Sequence, residues 1–499
     1  MQGPPRRGGD PSPNRCAGRR ESRRRSSRRT GWPSLLCSPW DERPRIDLEH
    51  RLCRRSRWRP LQVAVAAVGR GAFPTAGSSD EEGTLVMSAD TLKPRSPLGH
   101  YSALLRPGAV AAARVALARN GDDRVRHLAD AVRFGPFGPR RSRSGSRMRG
   151  FVASPGGRLR WRSLPAPGRP GPAGAVVRPL AVATCDGDRA ILLGRTPFPL
   201  PLHLGHECVA EVLEVGADVS SVRAGQNVVV PFQISCGACG PCRQQRPGSC
   251  TGVPPVSMYG FGVVGGLWGG VLADLVAVPF ADAMLVPLPD GIDPIAAASV
   301  ADNVSDAYRT VAPHLPRLLA RDPDTEVLMV GSLTRRSPFT SSAMLYGGLI
   351  AKILGARKVH LVDARPAVRS LAERLGLHAH EPDPHRHWPV APLTVDATTT
   401  PSGLRRVLSH TAPDGICTCV WSLHHRGGFP LVDCYVRNVT LHIGRSHART
   451  SIPQVLELMT KAKLRPELVT TNTASFDEAA EALRQHCGDS AIKTILVAK

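Results

Sequence analysis

Short apolar runs alternate with segments of helical spacing over the second half of the chain. Residues 325–331 (TEVLMVG) and 358–363 (KVHLVD) are apolar runs, and between them residues 344–354 carry apolar side chains at the spacing of one helix face. Continuous apolar runs of this length are typical of strands buried on both faces of a parallel sheet. The pattern predicts a strand, a turn, a helix and a second strand that ends in an acid, Asp363.

The alternation continues downstream and predicts a doubly wound parallel sheet, because strands that alternate with helices are typical of that α/β architecture. The further expected elements are strands over residues 393–397, 415–420, 439–444 and 491–497 and a helix over 452–462. Cys417, Cys419 and Cys434 fall in or near these strands, and we expect them to be buried thiols.

Four cysteines upstream follow the spacing C-x2-C-x2-C-x7-C: Cys236, Cys239, Cys242 and Cys250. Thiolates at such intervals can surround one Zn²⁺, and the glycines and proline between them allow a tight loop. The alternative is a pair of disulfides or four unrelated thiols, but disulfides require an oxidising compartment. We therefore predict a structural zinc, which has no open position for chemistry when four thiolates bind it.

A second metal constellation combines Cys185 (in ATCDGD), His206 (in LGHE) and Asp302 (in ADNVSD). Three protein ligands leave a fourth position for water or a substrate oxygen, as a catalytic zinc requires. Each residue alone is weak evidence, because a lone Cys or His is usually part of the core. The order of Cys, Gly-His-Glu and the four-cysteine segment makes the prediction specific.

This succession resembles the zinc-dependent medium-chain alcohol dehydrogenases over residues 148–499. The shared text includes GHE at 205–207, EVLEVG at 211–216, AGQNVV at 224–229 and YGFG at 259–262. The resemblance implies an α/β protein with a β-rich, GroES-like catalytic domain at 148–310 and a Rossmann dinucleotide-binding domain at 311–444. Residues 445–499 would return to the catalytic domain.

The resemblance also implies roles for individual residues. Cys185, His206 and Asp302 would bind the catalytic zinc, Glu207 would approach the metal during ligand exchange, and Asp188 would orient the histidine ligand. A carboxylate as third ligand resembles the formaldehyde and polyol dehydrogenases of the family. Many members carry Ser or Thr two residues after the first ligand as a proton relay, but this chain has Gly187, so the proton must pass through another group or through water.

The predicted strand, turn, helix and strand match the dinucleotide-binding plan, in which Asp363 would bind the ribose hydroxyls and favour NAD over NADP. The alternative for Asp363 is an ordinary acid at the end of a strand. The phosphate loop departs from the G-x-G-x-x-G pattern, because Gly331 is followed by SLTRRSPFTSS. Arg335 and Arg336 could contact the pyrophosphate or form a solvated loop tip, and we expect weakened binding of NAD.

The first 147 residues differ in composition from the rest of the chain. They hold 29 Arg and 1 Lys against 13 acids, and so contribute most of the formal net charge of +24. Such a basic segment could bind nucleic acid electrostatically, but no zinc finger or RNA-binding aromatic motif accompanies it. We expect residues 1–147 to be a disordered extension or an untranslated one, with the mature protein beginning near Met148.

The sequence predicts a cytoplasmic enzyme without a membrane segment, because no run of 18 apolar residues occurs and thirteen cysteines suit a reducing compartment. The expected function is hydride transfer between a small alcohol or aldehyde and NAD, with two zinc ions per chain and assembly into a dimer or tetramer. Two alternatives remain. One is a catalytically silent zinc protein, and the other is a nucleic-acid-associated protein that acts through the basic segment.

Overall fold

The computed structural model describes residues 146–499, apart from positions 197, 199, 263, 267, 384–387 and 423–428. The expectations for residues 1–145 lie outside the described residues. Within this range, no helix is long and apolar enough to cross a membrane.

Sixteen strands are formed by the described residues. They are β1 (Arg147–Ser154), β2 (Arg158–Pro165), β3 (Ala175–Ala183), β4 (Leu202–His203), β5 (Glu207–Val215), β6 (Asn227–Val230), β7 (Val276–Val278), β8 (Val286–Pro287), β9 (Glu326–Val330), β10 (Lys358–Val362), β11 (His378–His380), β12 (Ala391–Asp396), β13 (Thr411–Cys419), β14 (Thr440–Ile443), β15 (Asn472–Ser475) and β16 (Thr494–Val497).

Helices of the described residues fall between these strands. They are α1 (Asp186–Leu192), α2 (Gly240–Arg243), α3 (Ala281–Met284), α4 (Pro294–Ala297), α5 (Asn303–Val311), α6 (Leu315–Leu319), α7 (Ser342–Ile353), α8 (Pro366–Arg374), α9 (Pro401–Ser409), α10 (Leu431–Val436), α11 (Ala448–Lys461) and α12 (Ala479–His486).

The first part of the described chain is β-rich. Strands β2, β1 and β4 form a three-stranded sheet, and a larger sheet runs in the order β15, β16, β3, β5, β6, β8, with β7 also paired to β3. Valines on β3, β5 and β6 are buried in a shared core. The last strand of the chain, β16, pairs antiparallel with β3, so the end of the chain is built into the sheet that carries the cysteine and histidine of the second constellation.

The second part is a six-stranded sheet in the order β11, β10, β9, β12, β13, β14, and all of its pairings are parallel. Counted from its own first strand, this order is 3-2-1-4-5-6, which is the doubly wound plan. The strand order reverses between β9 and β12, and ligands of such sheets bind at the carboxyl ends of the strands beside that point. The predicted fold class, a β-rich domain with a doubly wound parallel sheet, is confirmed.

One expectation for a buried thiol is wrong. Cys417 and Cys419 are buried in β13, but Cys434 is partly exposed because it lies on α10, a helix that has no buried residue.

Candidate active site

The four-cysteine segment closes into a compact cluster. The sulfur atoms of Cys236, Cys239, Cys242 and Cys250 all lie within 4.8 Å of one another. The sulfur of Cys250 is 3.5 Å from that of Cys236 and 3.7 Å from that of Cys239. Bonds of about 2.3 Å to a tetrahedral zinc ion would separate sulfur atoms by about 3.8 Å. The cluster therefore has the size that four thiolates around one zinc ion require.

Backbone donors prepare one sulfur atom of this cluster, that of Cys239, for negative charge, whereas burial raises the pKa values of Cys242 and Cys250. All four thiols are free rather than paired in disulfides, and the N–H of Thr251 donates to the sulfur of Cys239 at 3.4 Å. Burial opposes ionisation of Cys239, but hydrogen bonds from the backbone of Cys242 and Thr251 outweigh it and lower the pKa of Cys239 to about 5. A thiolate is the form of cysteine that binds metals.

The second constellation is assembled from the ends of three separate elements. Cys185 is the N-cap residue of α1, His206 directly precedes β5, and Asp302 directly precedes α5. The structure brings these three residues together although 117 positions separate the first from the last. One ligand atom from each lies within 4.8 Å of the others, and all three side chains are buried.

The imidazole of His206 is the clearest sign of an ion in this constellation. Its Nε2 lies 3.5 Å from Oδ2 of Asp302, and neither ring nitrogen has a hydrogen-bond partner although the side chain is fully buried. A buried polar atom without a partner costs about 1–3 kcal/mol. An ion held by Cys185, His206 and Asp302 would remove that cost, so these residues fit a metal ion.

Asp188 lies beside this constellation, but its direct bond is to the cysteine. Its Oδ2 accepts a hydrogen bond of 2.7 Å from the backbone N–H of Cys185, which completes a capping box at the start of α1. Its Oδ1 is 4.0 Å from Nδ1 of His206, which is too long for a hydrogen bond. In this structure Asp188 thus fixes the backbone of the cysteine and faces the histidine without bonding to it.

Glu207 forms a buried ion pair with Lys493. Its Oε2 accepts a hydrogen bond of 2.6 Å from Nζ of Lys493, and its Oε1 accepts one of 3.3 Å from the N–H of Asn303. Lys493 also donates to Oδ1 of Asn303 at 2.9 Å. Burial lowers the pKa of Lys493, but the Glu207 carboxylate outweighs burial and raises it. Sequence reasoning missed Lys493, although a single lysine inside the apolar run AIKTILV was a signal.

The carboxyl end of β9 meets the acid that ends β10. A β-carbon on Gly331 would lie 2.5 Å from Oδ2 of Asp363, so glycine is needed there. Asp363 is fully buried. Its Oδ2 accepts from the N–H of Ser332 at 2.9 Å and from Oγ of Ser341 at 2.7 Å, and its Oδ1 accepts from the N–H of Arg365 at 2.8 Å.

These contacts decide how a dinucleotide fits. Asp363 accepts three hydrogen bonds from the turn between β9 and α7 and from Arg365, and these groups bury it fully, so a ribose hydroxyl could reach it only if they moved. In this arrangement the residues at the end of β10 do not fit a bound dinucleotide.

The turn over residues 331–341 is held down by Arg365 rather than by the arginines that it contains. Arg335 and Arg336 are exposed, whereas Arg365 is buried and donates to the carbonyl oxygens of Phe339 and Thr340 at 3.0 and 3.1 Å. No pattern in the sequence indicated a role for Arg365, because an arginine two residues after a strand-end acid is typically solvated.

Comparison with known proteins finds similarity to alcohol dehydrogenases. A model of the alcohol dehydrogenase GroES-like domain matches residues 171–290. A probable zinc-binding alcohol dehydrogenase of Mycobacterium tuberculosis is 28% identical over 345 residues, which cover 67% of this chain and 84% of the relative. A glutathione-independent formaldehyde dehydrogenase of Pseudomonas aeruginosa is 36% identical over 151 residues, which cover 28% of this chain and 38% of the relative. The solved alcohol dehydrogenase of Thermus sp. ATN1 matches with a TM-score of 0.62 and 26% identity, covering 70% of this chain and 100% of that one.

The chain is similar to the medium-chain, zinc-type alcohol dehydrogenases, and residues 171–290 match the GroES-like domain of that family. Members of this family are oxidoreductases, and the described part of this chain has both of the metal-ligand clusters that the resemblance implies.

The chain has Gly187 where the resemblance leads us to expect a Ser or Thr, and the structure gives a packing reason. A β-carbon at Gly187 would lie 2.5 Å from Cη2 of Trp421, so the indole fills the space that a relay hydroxyl would need. Trp421 also contacts the ring of Phe339, with centroids 5.8 Å apart. The indole thus lies between the start of α1 and the turn after β9.

Aromatic rings pack against the imidazole of His206. The ring centroid of His206 is 4.7 Å from that of Phe261 and 6.1 Å from that of Phe232, and Phe198 contacts Phe261 at 4.9 Å. These rings are buried. Buried apolar rings therefore pack against the histidine ligand on this side.

Proposed function

We propose that the protein is a zinc-dependent oxidoreductase that transfers a hydride between a small alcohol or aldehyde and a nicotinamide dinucleotide, which binds only after the residues that enclose Asp363 move. NAD would be favoured over NADP because Asp363 would then face the ribose hydroxyls. The observation that carries the proposal is the meeting of Cys185, His206 and Asp302 in one buried cluster, with both ring nitrogens of the histidine unpaired. Three protein ligands leave a position for a substrate oxygen. A zinc ion bound there would supply a Lewis acid that lowers the pKa of an alcohol.

The roles of the chain's own residues follow from their contacts. Asp188 holds the backbone of Cys185 through a hydrogen bond. The ion pair with Lys493 holds the carboxylate of Glu207 away from the three ligand atoms. The buried rings of Phe261 and Phe232 beside the histidine ligand favour an apolar substrate. Since Trp421 occupies the space beside Gly187, a proton leaves through another group or through water rather than through a hydroxyl group at residue 187.

The test is an activity assay on protein purified with zinc and without chelator. Formaldehyde and a series of primary alcohols would be assayed with NAD and with NADP, and the wild type compared with Asp302→Asn. We expect turnover of short substrates with NAD and at least a hundredfold loss in the variant. A protein that retains two zinc ions and turns over none of the substrates with either cofactor would contradict the proposal.

A second candidate function, that of a catalytically silent zinc protein, is favoured by the full burial of Asp363. Titration with NAD and NADH distinguishes a silent zinc protein from an oxidoreductase. Binding of neither cofactor to zinc-loaded protein would support the silent protein.

Two further parts of the proposal concern location and assembly. Free cysteines suit the reducing cytoplasm, which we propose as the compartment.

We also propose a homo-oligomer in which a second copy covers α10. Leu431, Val432 and Tyr435 of that helix are 69–83% exposed, and β14 ends the order of described strands beside it. An open strand edge next to an apolar face suits pairing with an identical copy. Light scattering should report a dimer or tetramer that Val432→Asp weakens.

A further inference from the structure

The first helix after β9, α7, has its amino terminus at the switch point of the doubly wound sheet. In such sheets the N–H groups of this helix end and its dipole form the place where the pyrophosphate of a dinucleotide binds. In this chain the place is taken by Asp186, whose Oδ1 accepts from the N–H of Ser342 at 2.6 Å and whose Oδ2 accepts from the N–H of Ala343 at 3.2 Å.

Side-chain hydroxyls complete the set of donors around the carboxylate. Oδ1 of Asp186 also accepts from Oγ1 of Thr340 at 2.8 Å and from Oγ of Ser342. Asp186 is 2% exposed, and both hydroxyl donors are fully buried. Four donors around a buried carboxylate at the end of a twelve-residue helix form a built anion site, and the anion that fills it belongs to the protein.

The position of Asp186 in the sequence links this contact to the metal constellation. The residue follows Cys185 directly and begins α1, so it belongs to the β-rich domain, whereas α7 belongs to the parallel sheet domain. The hydrogen bonds therefore run from the segment that carries a metal ligand to the helix that binds phosphate in relatives of this architecture.

The rest of the expected dinucleotide site, at the carboxyl ends of β9 and β10, is also occupied by groups of the protein. Ser341, the N-cap residue of α7, has a left-handed backbone with φ of 62° and donates its hydroxyl to Asp363, the residue expected to bind ribose. Arg365 holds the preceding carbonyl oxygens of Phe339 and Thr340. Both anchors of a dinucleotide, the helix end and the acid, are thus engaged by groups of the chain itself.

We propose that Asp186 is a resident anion that occupies the pyrophosphate site, so that a dinucleotide binds only when it displaces this carboxylate. The inference rests on the proposed function, in which the protein uses a nicotinamide dinucleotide. Two anions cannot share one set of donors, and repulsion between them is strong where water is excluded. Asp186 therefore sets the affinity of the protein for its cofactor, and the affinity of the wild type is low.

The experiment measures binding of ADP-ribose, which carries the pyrophosphate and one ribose of NAD but takes no part in hydride transfer. Calorimetry would compare zinc-loaded wild type with Asp186→Ala and Asp186→Asn. The asparagine variant keeps the volume and an acceptor for Ser342, and so tests the charge if the alanine variant does not fold. Asp324→Asn is the matched control, because Asp324 is 80% exposed and precedes β9 at the opposite end of that strand.

We expect the dissociation constant for ADP-ribose to fall at least tenfold in the Asp186 variants and to stay unchanged in the Asp324 variant. ADP-ribose should also raise the Tm of the Asp186 variants more than that of the wild type. Equal or weaker binding in folded Asp186 variants would overturn the inference.

Turnover with NAD separates this result from the proposed function. Tighter binding of ADP-ribose without turnover of any alcohol would leave the inference standing and remove the function. Turnover by the wild type, with a KM for NAD that the Asp186 variants leave unchanged, would leave the function standing and remove the inference.

Discussion

Lys493 and Glu207 form an ion pair in which Nζ and Oε2 are 2.6 Å apart and both side chains are fully buried. The glutamate follows the histidine of the metal constellation, and the lysine lies next to the last strand of the chain. The pair therefore joins the end of the chain to the candidate active site.

Removing the lysine alone should strongly destabilise the protein. Lys493→Met leaves the Glu207 carboxylate buried without a counter-charge, and such losses cost about 3–5 kcal/mol. Lys493→Met combined with Glu207→Gln should recover more than half of that loss. Urea unfolding measures both values, with Lys461→Met as the control because Lys461 is 76% exposed in its own ion pair. Strictly additive losses in the double variant would show that the two groups are not coupled.

The four-cysteine cluster should hold one zinc ion that stabilises the fold. We expect Cys239→Ser to lose one of two zinc ions per chain and to lower the Tm, because the binding energy of a structural metal contributes to folding. Cys434→Ser is the matched control, since Cys434 is a partly exposed thiol on α10 outside both clusters. Zinc content is measured by mass spectrometry of the metal. Unchanged zinc content and Tm in the Cys239 variant would remove the assignment.

The second zinc ion should depend on His206 without determining the fold. His206→Ala removes one of three ligands and the unpaired ring nitrogens, so we expect loss of one zinc ion and of activity. Circular dichroism should stay that of folded protein, and the four-cysteine cluster should keep its metal. His378→Ala, at an exposed position of β11, is the control. A wild type that holds a single zinc ion when purified without chelator would argue against this site.

A side chain at residue 187 should be tolerated only when Trp421 is small. Gly187→Ser places a β-carbon 2.5 Å from the indole, and overpacking of this kind costs about 1–3 kcal/mol. The same substitution in a Trp421→Ala background should cost less, because the contact is gone. Thermal unfolding of the two single variants and the double variant gives the coupling. Equal costs in both backgrounds would mean that the indole moves away freely.

Stability should carry a pH dependence that comes from Asp396. Burial raises the pKa of this residue from 3.8 to about 6, so between these values the folded chain binds a proton that the unfolded chain has released. The free energy of unfolding therefore falls as pH rises through this window, by on the order of 3 kcal/mol in full. Asp396→Asn should gain stability relative to the wild type between pH 4.5 and 6.5 in urea unfolding. A difference between the two proteins that does not change with pH would show that Asp396 titrates normally.

The sequence allows the elements and the cysteine spacing to be predicted because both are local signals. Apolar runs mark β9 and β10 within one or two residues, and helix α7 begins at Ser342, two residues before its first expected position. The contact between Lys493 and Glu207 spans 286 positions, and no local pattern carries such a distance. The position of Asp363 at a strand end was also predictable. Its burial was not, because the groups that donate hydrogen bonds to it lie in the turn between β9 and α7. The path of that turn depends on the left-handed backbone of Ser341 and on the hydrogen bonds of Arg365.

Strand β16 lies between β15 and β3, and Thr494 and Thr184 exchange backbone and side-chain hydrogen bonds across 310 positions. On the ribosome, β3 therefore waits for its neighbour while those residues are added, for roughly 15 to 60 s at ~5–20 residues per second. Throughout that time residues 181–183 lack their partner strand on that edge of β3, where β7 pairs only with residues 175–177, and Glu207 lacks its lysine. Lys493 and β16 are thus the last described parts of the candidate active site to be synthesised, and until then an open strand edge is available for pairing with other chains.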